Sequence, residues 1–173
     1  GLFTLLGGQT RNRIGAVSTV SGTVLAWNPD ANGGVLSIGV TGSSAYVGGV
    51  FTRIGNQFPD RLAALDLANG TPTSWNPGAN AVVYTLALSG TTLFVGGDFT
   101  SVGGSPRNRV AAFNTGTRAL MGWNPNASGT VSADVFTVME LSGVNFTNSM
   151  PSTCNSAGPE VSDNCISIGS VEF

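Results

Sequence analysis

The chain of 173 residues contains no histidine and no lysine, and only 9% of its residues are charged. The absence of histidine removes catalytic triads that rely on imidazole, and most zinc sites. The absence of lysine removes Schiff-base chemistry and phosphate loops of the Walker type. We therefore predict that the protein is not an enzyme and that it uses no metal ion and no cofactor.

Basic character is also scarce, and the few charges are unevenly placed. Residues 1–123 hold seven arginines and four aspartates, a sum of +3, whereas residues 124–173 hold five acids and no base, a sum of −5. No basic run marks a nucleic-acid interface, so we expect no nucleic-acid partner. The asymmetry favours head-to-tail contact between subunits, although ordinary scatter in a weakly charged protein would look the same.

Cysteine is limited to Cys154 and Cys165. The ten residues between them are mainly small, polar or acidic, which favours a disulfide that closes a small loop; two free thiols are the alternative. A disulfide predicts an oxidising compartment, so we expect an extracellular or cell-surface protein. No apolar run is long enough to span a membrane. The chain begins at Gly1 without a signal peptide, as a mature or trimmed product would.

What the chain does have is an internal repeat. Trp-Asn-Pro begins at Trp27, Trp75 and Trp123, and Tyr46-Val47-Gly48-Gly49 matches Phe94-Val95-Gly96-Gly97 at the same spacing. Further matches at this spacing are Phe3-Thr4, Phe51-Thr52 and Phe99-Thr100, and Arg13, Arg61 and Arg109. The period is about 48 residues, within the range that indicates stacked units such as propeller blades or helical arrays.

Each period is predicted to form strands rather than helices. Between Trp27 and Trp75 the apolar runs are 35–40, 45–50, 61–67 and 71–75, each near the usual length of a strand. Gly, Asn, Pro and Ser clusters separate them, and no stretch has the apolar period of a helix. We predict an all-β fold of the β-propeller type, with blades of four antiparallel strands.

The repeats divide the chain into blades and a tail. Residues 28–75 and 76–123 are complete periods, 1–27 is an outer half-blade, and 124–147 is an inner half-blade. This repeat domain, 1–147, amounts to three blade equivalents and is followed by a non-repeating acidic tail at 148–173. Closed propellers use about four to eight blades. The remainder therefore comes from a longer propeller or from identical chains that complete a ring or join as a fibre.

The recurring elements are Trp-Asn-Pro, an apolar strand, Ser/Thr-Gly, Val-Gly-Gly-x-Phe-Thr, Arg-x-x-Ala-Ala and Asn-Gly or Thr-Gly. This pattern resembles the delta-sixty repeat family of bacterial β-propellers over roughly residues 1–147. The match is specific across 35–123 and weakens after Asn126. The resemblance implies a secreted or surface propeller and supplies no catalytic residues.

The repeated tryptophans and arginines are the candidate site residues. Exposed indole faces stack on sugar rings, which makes Trp27, Trp75 and Trp123 candidate ligand-binding residues; packing between adjacent blades is the alternative. One arginine per blade is typical of a structural donor to turn carbonyls, and anion or polysaccharide binding is the alternative. The members of this set are Arg13, Arg61 and Arg109.

Three asparagines begin N-glycosylation sequons, although Asn-rich turns also produce such triplets by chance. They are Asn69, Asn126 and Asn145.

Together these features favour a non-catalytic, secreted or cell-surface propeller with a structural or adhesive role, as a self-assembling subunit of a ring or fibre. The alternative is a carbohydrate-binding lectin of the propeller type that uses the repeated tryptophans. The expected partners are other copies of the chain or the rest of a longer propeller, with polysaccharide as a further candidate.

Overall fold

The computed structural model describes residues 1–129 and 131, and every regular element within them is a β-strand. The all-β class is thus confirmed for this part of the chain. The strands are β1 (Leu5–Leu6), β2 (Gln9–Thr10), β3 (Val35–Thr41), β4 (Ser44–Gly49), β5 (Leu62–Asp66), β6 (Val83–Ser89), β7 (Thr92–Gly97), β8 (Ser101–Val102), β9 (Ser105–Pro106) and β10 (Val110–Asn114).

Several predictions from the sequence fall outside the described residues. They are the inner half-blade beyond residue 131, the acidic tail at 148–173, the pair Cys154 and Cys165, and the sequon at Asn145.

Two antiparallel sheets of three strands form the main structure. We call residues 28–75, 76–123 and those from 124 onward the first, second and third unit; the half-blade 1–27 precedes them. The first sheet has the order β3-β4-β5, and the second has the order β10-β7-β6. Their registers correspond at a spacing of one period: Ile38 lies opposite Val47 in the first sheet, and Leu86 lies opposite Val95 in the second. Both sheets also carry a register shift at the start of their first strand, between Val35 and Ser37 and between Val83 and Thr85.

The Val-Gly-Gly motif fits this register shift. A Cβ atom at Gly49 would collide with the carbonyl oxygen of Gly34, and one at Gly97 would collide with that of Val82. The same two carbonyls accept hydrogen bonds from the next amides along, at 2.9 Å in each sheet. Only glycine therefore allows the strands to approach this closely at the irregular position.

The prediction of four strands per unit needs correction, because the fourth run pairs through a single bridge. In the first sheet this bridge joins Leu65 and Pro72, and in the second it joins Phe113 and Leu120. Two backbone hydrogen bonds flank each bridge, for example Asp66 N to Thr71 O at 2.9 Å. The ladder ends there because the amide of Trp75 points to the Thr73 hydroxyl at 3.3 Å, and the chain then enters Asn76-Pro77, where proline has no N–H to donate.

Short hairpins project from each unit at equivalent positions. The β1–β2 and β8–β9 hairpins lie two periods apart, and between them Ile54 and Gln57 form an isolated bridge at the corresponding place. The repeat therefore governs the connections between the main strands as well as the strands themselves.

Buried side chains form layers between consecutive units. The first layer includes Val35, Val47, Phe51 and Leu65, and the next includes their counterparts one period later. Those counterparts are Val83, Val95, Phe99 and Phe113. Because successive strand residues point to opposite faces, β4 contributes Ala45 and Val47 to one layer and Tyr46 to the next, and all six of its residues are buried.

The two main sheets pack face to face through their first strands, β3 and β6. The amide of Leu86 donates to the hydroxyl of Ser37 at 3.0 Å across this interface. Small residues on the first sheet, such as Gly39, make room for Leu88 of the second. Within the described residues the sheets form an open stack, and they do not close into a propeller.

Candidate functional site

All three repeated tryptophans are half-buried, and two of them pack edge-on against other aromatic rings. Trp75 lies between Tyr46 of the first sheet, at 5.4 Å between ring centroids, and Phe113 of the second, at 5.2 Å. Trp123 makes the equivalent contact with Phe94 at 5.3 Å. Edge-to-face pairs of this kind stabilise beyond the area that they bury. The pair of Trp75 with Phe113 joins one period to the next, whereas Trp123 and Phe94 lie in the same period.

The indole N–H groups also serve the packing between units. Trp27 Nε1 donates to the carbonyl oxygen of Asp66 at 3.0 Å, and Trp75 Nε1 donates to that of Arg118 at 2.9 Å. In each case the acceptor belongs to the following unit. This leaves these two tryptophans without a free polar group for a ligand, so any sugar contact would rest on the exposed part of the ring face.

The repeated arginines make one contact in triplicate. Nη1 of Arg13, Arg61 and Arg109 donates to the carbonyl oxygen of an alanine at the same sequence separation in each unit, at 3.0, 2.9 and 3.2 Å respectively. Each accepting alanine lies at the start of the next unit, and each arginine is half-buried. The guanidinium thus links one repeat to the next, which supports the structural interpretation over anion binding.

The backbone at these arginines is unusual as well. Their φ angles are 67°, 62° and 64°, in the left-handed region that residues other than glycine seldom adopt. Each amide donates to the carbonyl of a repeated phenylalanine, for example Arg61 N to Phe51 O at 3.0 Å. The main-chain and side-chain bonds together offset the cost of this conformation.

The side chains of the remaining arginines also have hydrogen-bond or ion-pair partners within the protein. Arg11 Nη2 donates to Leu25 O at 2.7 Å, and Arg107 Nη2, two periods later, donates to Met121 O at 3.0 Å. Arg118 reaches the hydroxyls of Thr73 and Ser44 in the first unit. In the described part of the chain one ion pair is present, between Arg53 and Asp30 at 3.2 Å. The arginines therefore form no free basic surface.

Asn32 and Asn80 have a structural role that the sequence did not predict. Each side chain binds the backbone of a later segment in its unit, a contact that we call the asparagine clamp. Asn80 Oδ1 accepts from the amides of Thr100 and Ser101 at 2.9 and 3.0 Å, and its Nδ2 donates to the Thr100 hydroxyl at 2.8 Å. Asn32 makes the same three bonds with residues 52 and 53. The available signal was the dipeptide Ala-Asn, which recurs one period later.

Asp30 is the centre of the main polar cluster in the first unit. Its carboxylate accepts from Asn12 Nδ2 at 2.7 Å and from Arg53 Nη1 at 3.2 Å. These hydrogen bonds, that of Asn12 first, hold the pKa of Asp30 below its ordinary value despite some desolvation. The equivalent contact of the third unit joins Asn108 to Asn126, so the repeat preserves the hydrogen bond and not the charge.

A second polar contact involves Tyr84 on β6. Its hydroxyl donates to Asp98 Oδ2 at 2.7 Å, and this bond to a carboxylate is the main reason why the pKa of Tyr84 is raised. The positions equivalent to this pair in the first unit are Leu36 and Val50. Because the first unit carries apolar residues there, the contact is not repeated between the two main sheets.

The two sequons within the described residues begin with asparagines whose side chains take part in turns. Asn69 is exposed, and its Oδ1 accepts from both the amide and the hydroxyl of Thr71, at 2.8 and 2.7 Å. Asn126 is also exposed, accepts from Asn108 and has a φ of 56°. Both asparagines therefore have a local structural role that does not depend on a glycan.

The described residues contain no cluster of three or more side chains of the types that bind metal ions. No helical segment in that part of the chain has the length and hydropathy to cross a bilayer. What recurs is a set of contacts between units, namely the tryptophan rings, the arginine donors and the asparagine clamps.

A scan of the chain against protein-family models finds no match, and a search against curated proteins finds none either.

Proposed function

We propose that the protein is a non-catalytic structural or adhesive repeat protein of the propeller type, secreted or held at the cell surface, which assembles with other copies of itself. In this proposal each repeat unit is a propeller blade. The resemblance to delta-sixty repeat propellers supports a secreted or surface propeller. The cysteine pair is the basis for the extracellular location.

The observation that carries the proposal is the use of the recurring side chains within the described units. The repeated tryptophans pack or bond across unit boundaries, and the repeated arginines donate to main-chain carbonyls of the following unit. Catalytic and binding residues ordinarily face a cleft and leave reactive groups free. Here the recurring polar groups hold one unit to the next, as a structural array requires.

Native mass spectrometry over a concentration series tests the assembly. The chain has a mass of 17.5 kDa, and we expect multiples of this mass whose share rises with concentration. A single species at the mass of one chain at all concentrations would contradict self-assembly. The intact mass of the same sample also reports whether Cys154 and Cys165 have lost their thiol hydrogens, as an oxidising compartment predicts.

Carbohydrate binding is the second candidate function, because each repeated tryptophan keeps part of its side chain exposed. A glycan array should be probed with the wild-type chain and with Trp27→Ala, whose ring has no close aromatic partner among the described residues. Binding that disappears in a folded Trp27→Ala variant would favour the lectin. Absence of any bound glycan would favour the structural role.

A further inference from the structure

The first sheet has an exposed apolar face whose equivalent in the second sheet is covered. Ile38 and Val40 on β3 are 50% and 58% exposed. Their counterparts one period later are Leu86 and Leu88, which pack against the first sheet in the core between the two units. We call Leu36, Ile38 and Val40 the open face; Leu36, beside them on β3, is 46% exposed.

The interface between the two sheets shows what kind of surface covers the equivalent side chains of the second sheet. On the first sheet, Ser37 has a small side chain and accepts the amide of Leu86 at 3.0 Å. Gly39 lies so near Leu88 that an added Cβ would come within 3.0 Å of its Cδ1. Gly48 similarly leaves space for Val83 and Leu86. The covering surface is thus a strand with small side chains, presented by the unit that precedes in the stack.

The order of the units, together with the overall charge, indicates which end of another chain would approach. Residues 1–123, which contain the open face, sum to +3, and residues 124–173 sum to −5. The repeat continues toward the C-terminus as far as Val131. This residue lies one period after Val83 and is buried together with Val110. The opposite sums favour an approach of these two parts over an approach of like parts. Because the surface that covers such a face belongs to the preceding unit, the C-terminal end of another copy is the end that would meet the open face.

We propose that the open face binds the acidic C-terminal end of a second copy of this chain, in a head-to-tail contact that repeats the geometry between the two main sheets. This deepens the proposed function, on which it rests, by naming the surface and the partner. Closed propellers use about four or more blades, and residues 1–147 supply three blade equivalents, so in this proposal the covering end belongs to another copy. A heterologous contact of this kind yields a ring or an extended fibre.

Sedimentation velocity of the full chain tests the surface. The variant Ile38→Gln/Val40→Gln should require at least a tenfold higher concentration for assembly than the wild type. The control Val20→Gln/Phe58→Gln changes residues that are 97% and 73% exposed on other loops, and it should stay within twofold. Both variants should unfold at the wild-type denaturant concentration, because the altered side chains are half or more exposed in the single chain.

Photo-crosslinking identifies the partner. Benzoylphenylalanine is placed at position 38, and isotopically heavy and light chains are mixed. We expect crosslinks that join a heavy chain to a light chain and that map to residues 124–173 of the partner copy. Products within one chain would mean that its own C-terminal end covers the face, and products between two open faces would mean a symmetric contact; either overturns the proposal. Assembly that is unaffected by the Ile38→Gln/Val40→Gln variant would refute this surface while the proposed function stands, whereas a monomeric wild type would refute both.

Discussion

At the scale of the residue, arginine works in this protein as a hydrogen-bond donor more than as a charge. Six of the seven arginines donate to main-chain carbonyl oxygens, and the seventh, Arg118, donates to two hydroxyls. A planar guanidinium offers five donors in fixed directions, which an ammonium group does not. This use is consistent with a chain that holds seven arginines and no lysine.

The first prediction concerns Arg61, which donates from its side chain to Ala79 and has a φ of 62°. Arg61→Leu and Arg61→Lys should each lower the free energy of unfolding by about 1–3 kcal/mol, since a half-buried carbonyl loses its donor. Equilibrium denaturation with urea measures the change. Full stability of the lysine variant would show that the positive charge, and not the geometry of the donor, is what the position requires.

The second prediction compares two tryptophans. Trp75→Ala should cost about 2–4 kcal/mol, because the ring fills the space between Tyr46 and Phe113 and its Nε1 has a partner. Trp27→Ala should cost less, since Trp27 makes the hydrogen bond but lacks aromatic neighbours among the described residues. Thermal or chemical unfolding of the two variants side by side gives the comparison. Equal losses would mean that the aromatic contacts add nothing.

The third prediction is a dependence on pH at Asp30. Its folded pKa lies below the unfolded value, so the carboxylate stabilises the fold above the unfolded pKa of about 4, and this contribution is lost as the pH falls through the folded pKa. The pair with Arg53 is more than a third exposed, so its contribution should stay below about 1 kcal/mol.

Asp30→Asn is the matched variant, because Asn126 occupies the equivalent position with the same left-handed backbone. The stability difference between wild type and variant should be present at pH 7 and should be lost at a pH below the folded pKa, which lies under the unfolded value of about 4. Unfolding curves at both pH values measure it. A difference that is the same at the two pH values would show that the charge of Asp30 has no part in stability.

At the scale of the element, the sequence predicted the main strands to within one or two residues, because their apolar runs lie between clear turn signals. It did not predict the loss of the fourth strand, since that depends on where the Trp75 amide finds its acceptor. The short hairpins were also missed, because pairs such as Ile54 and Gln57 are too brief to show a period. The tryptophan contacts required knowledge of which faces meet, which only the stacked sheets provide.

The fourth prediction tests the asparagine clamp that joins the start of one unit to its hairpin. Asn80→Ala should cost about 1 kcal/mol, because the amides of Thr100 and Ser101 lose an acceptor at an exposed position. Asn80→Asp keeps that acceptor and should be close to neutral. Urea denaturation distinguishes the two, and an aspartate variant as unstable as the alanine variant would show that the Nδ2 donor is the important half of the clamp.

At the scale of the whole molecule, the described chain is a stack whose internal boundaries are alike. Buried layers recur at a spacing of one period, and both faces of each main sheet carry apolar side chains. A stack built this way has no natural end, so an outermost sheet presents the surface that an internal sheet buries. The open face on β3 is that surface in the first sheet, and it is the reason why we expect the chain to associate with copies of itself.

Direct imaging of the native particle by electron cryomicroscopy tests this expectation most directly. We predict a ring or a filament in which the three-stranded sheets continue from one chain into the next with the same packing as between the first and second sheets. Particles that contain one chain each, with the open face of β3 in contact with solvent, would contradict it.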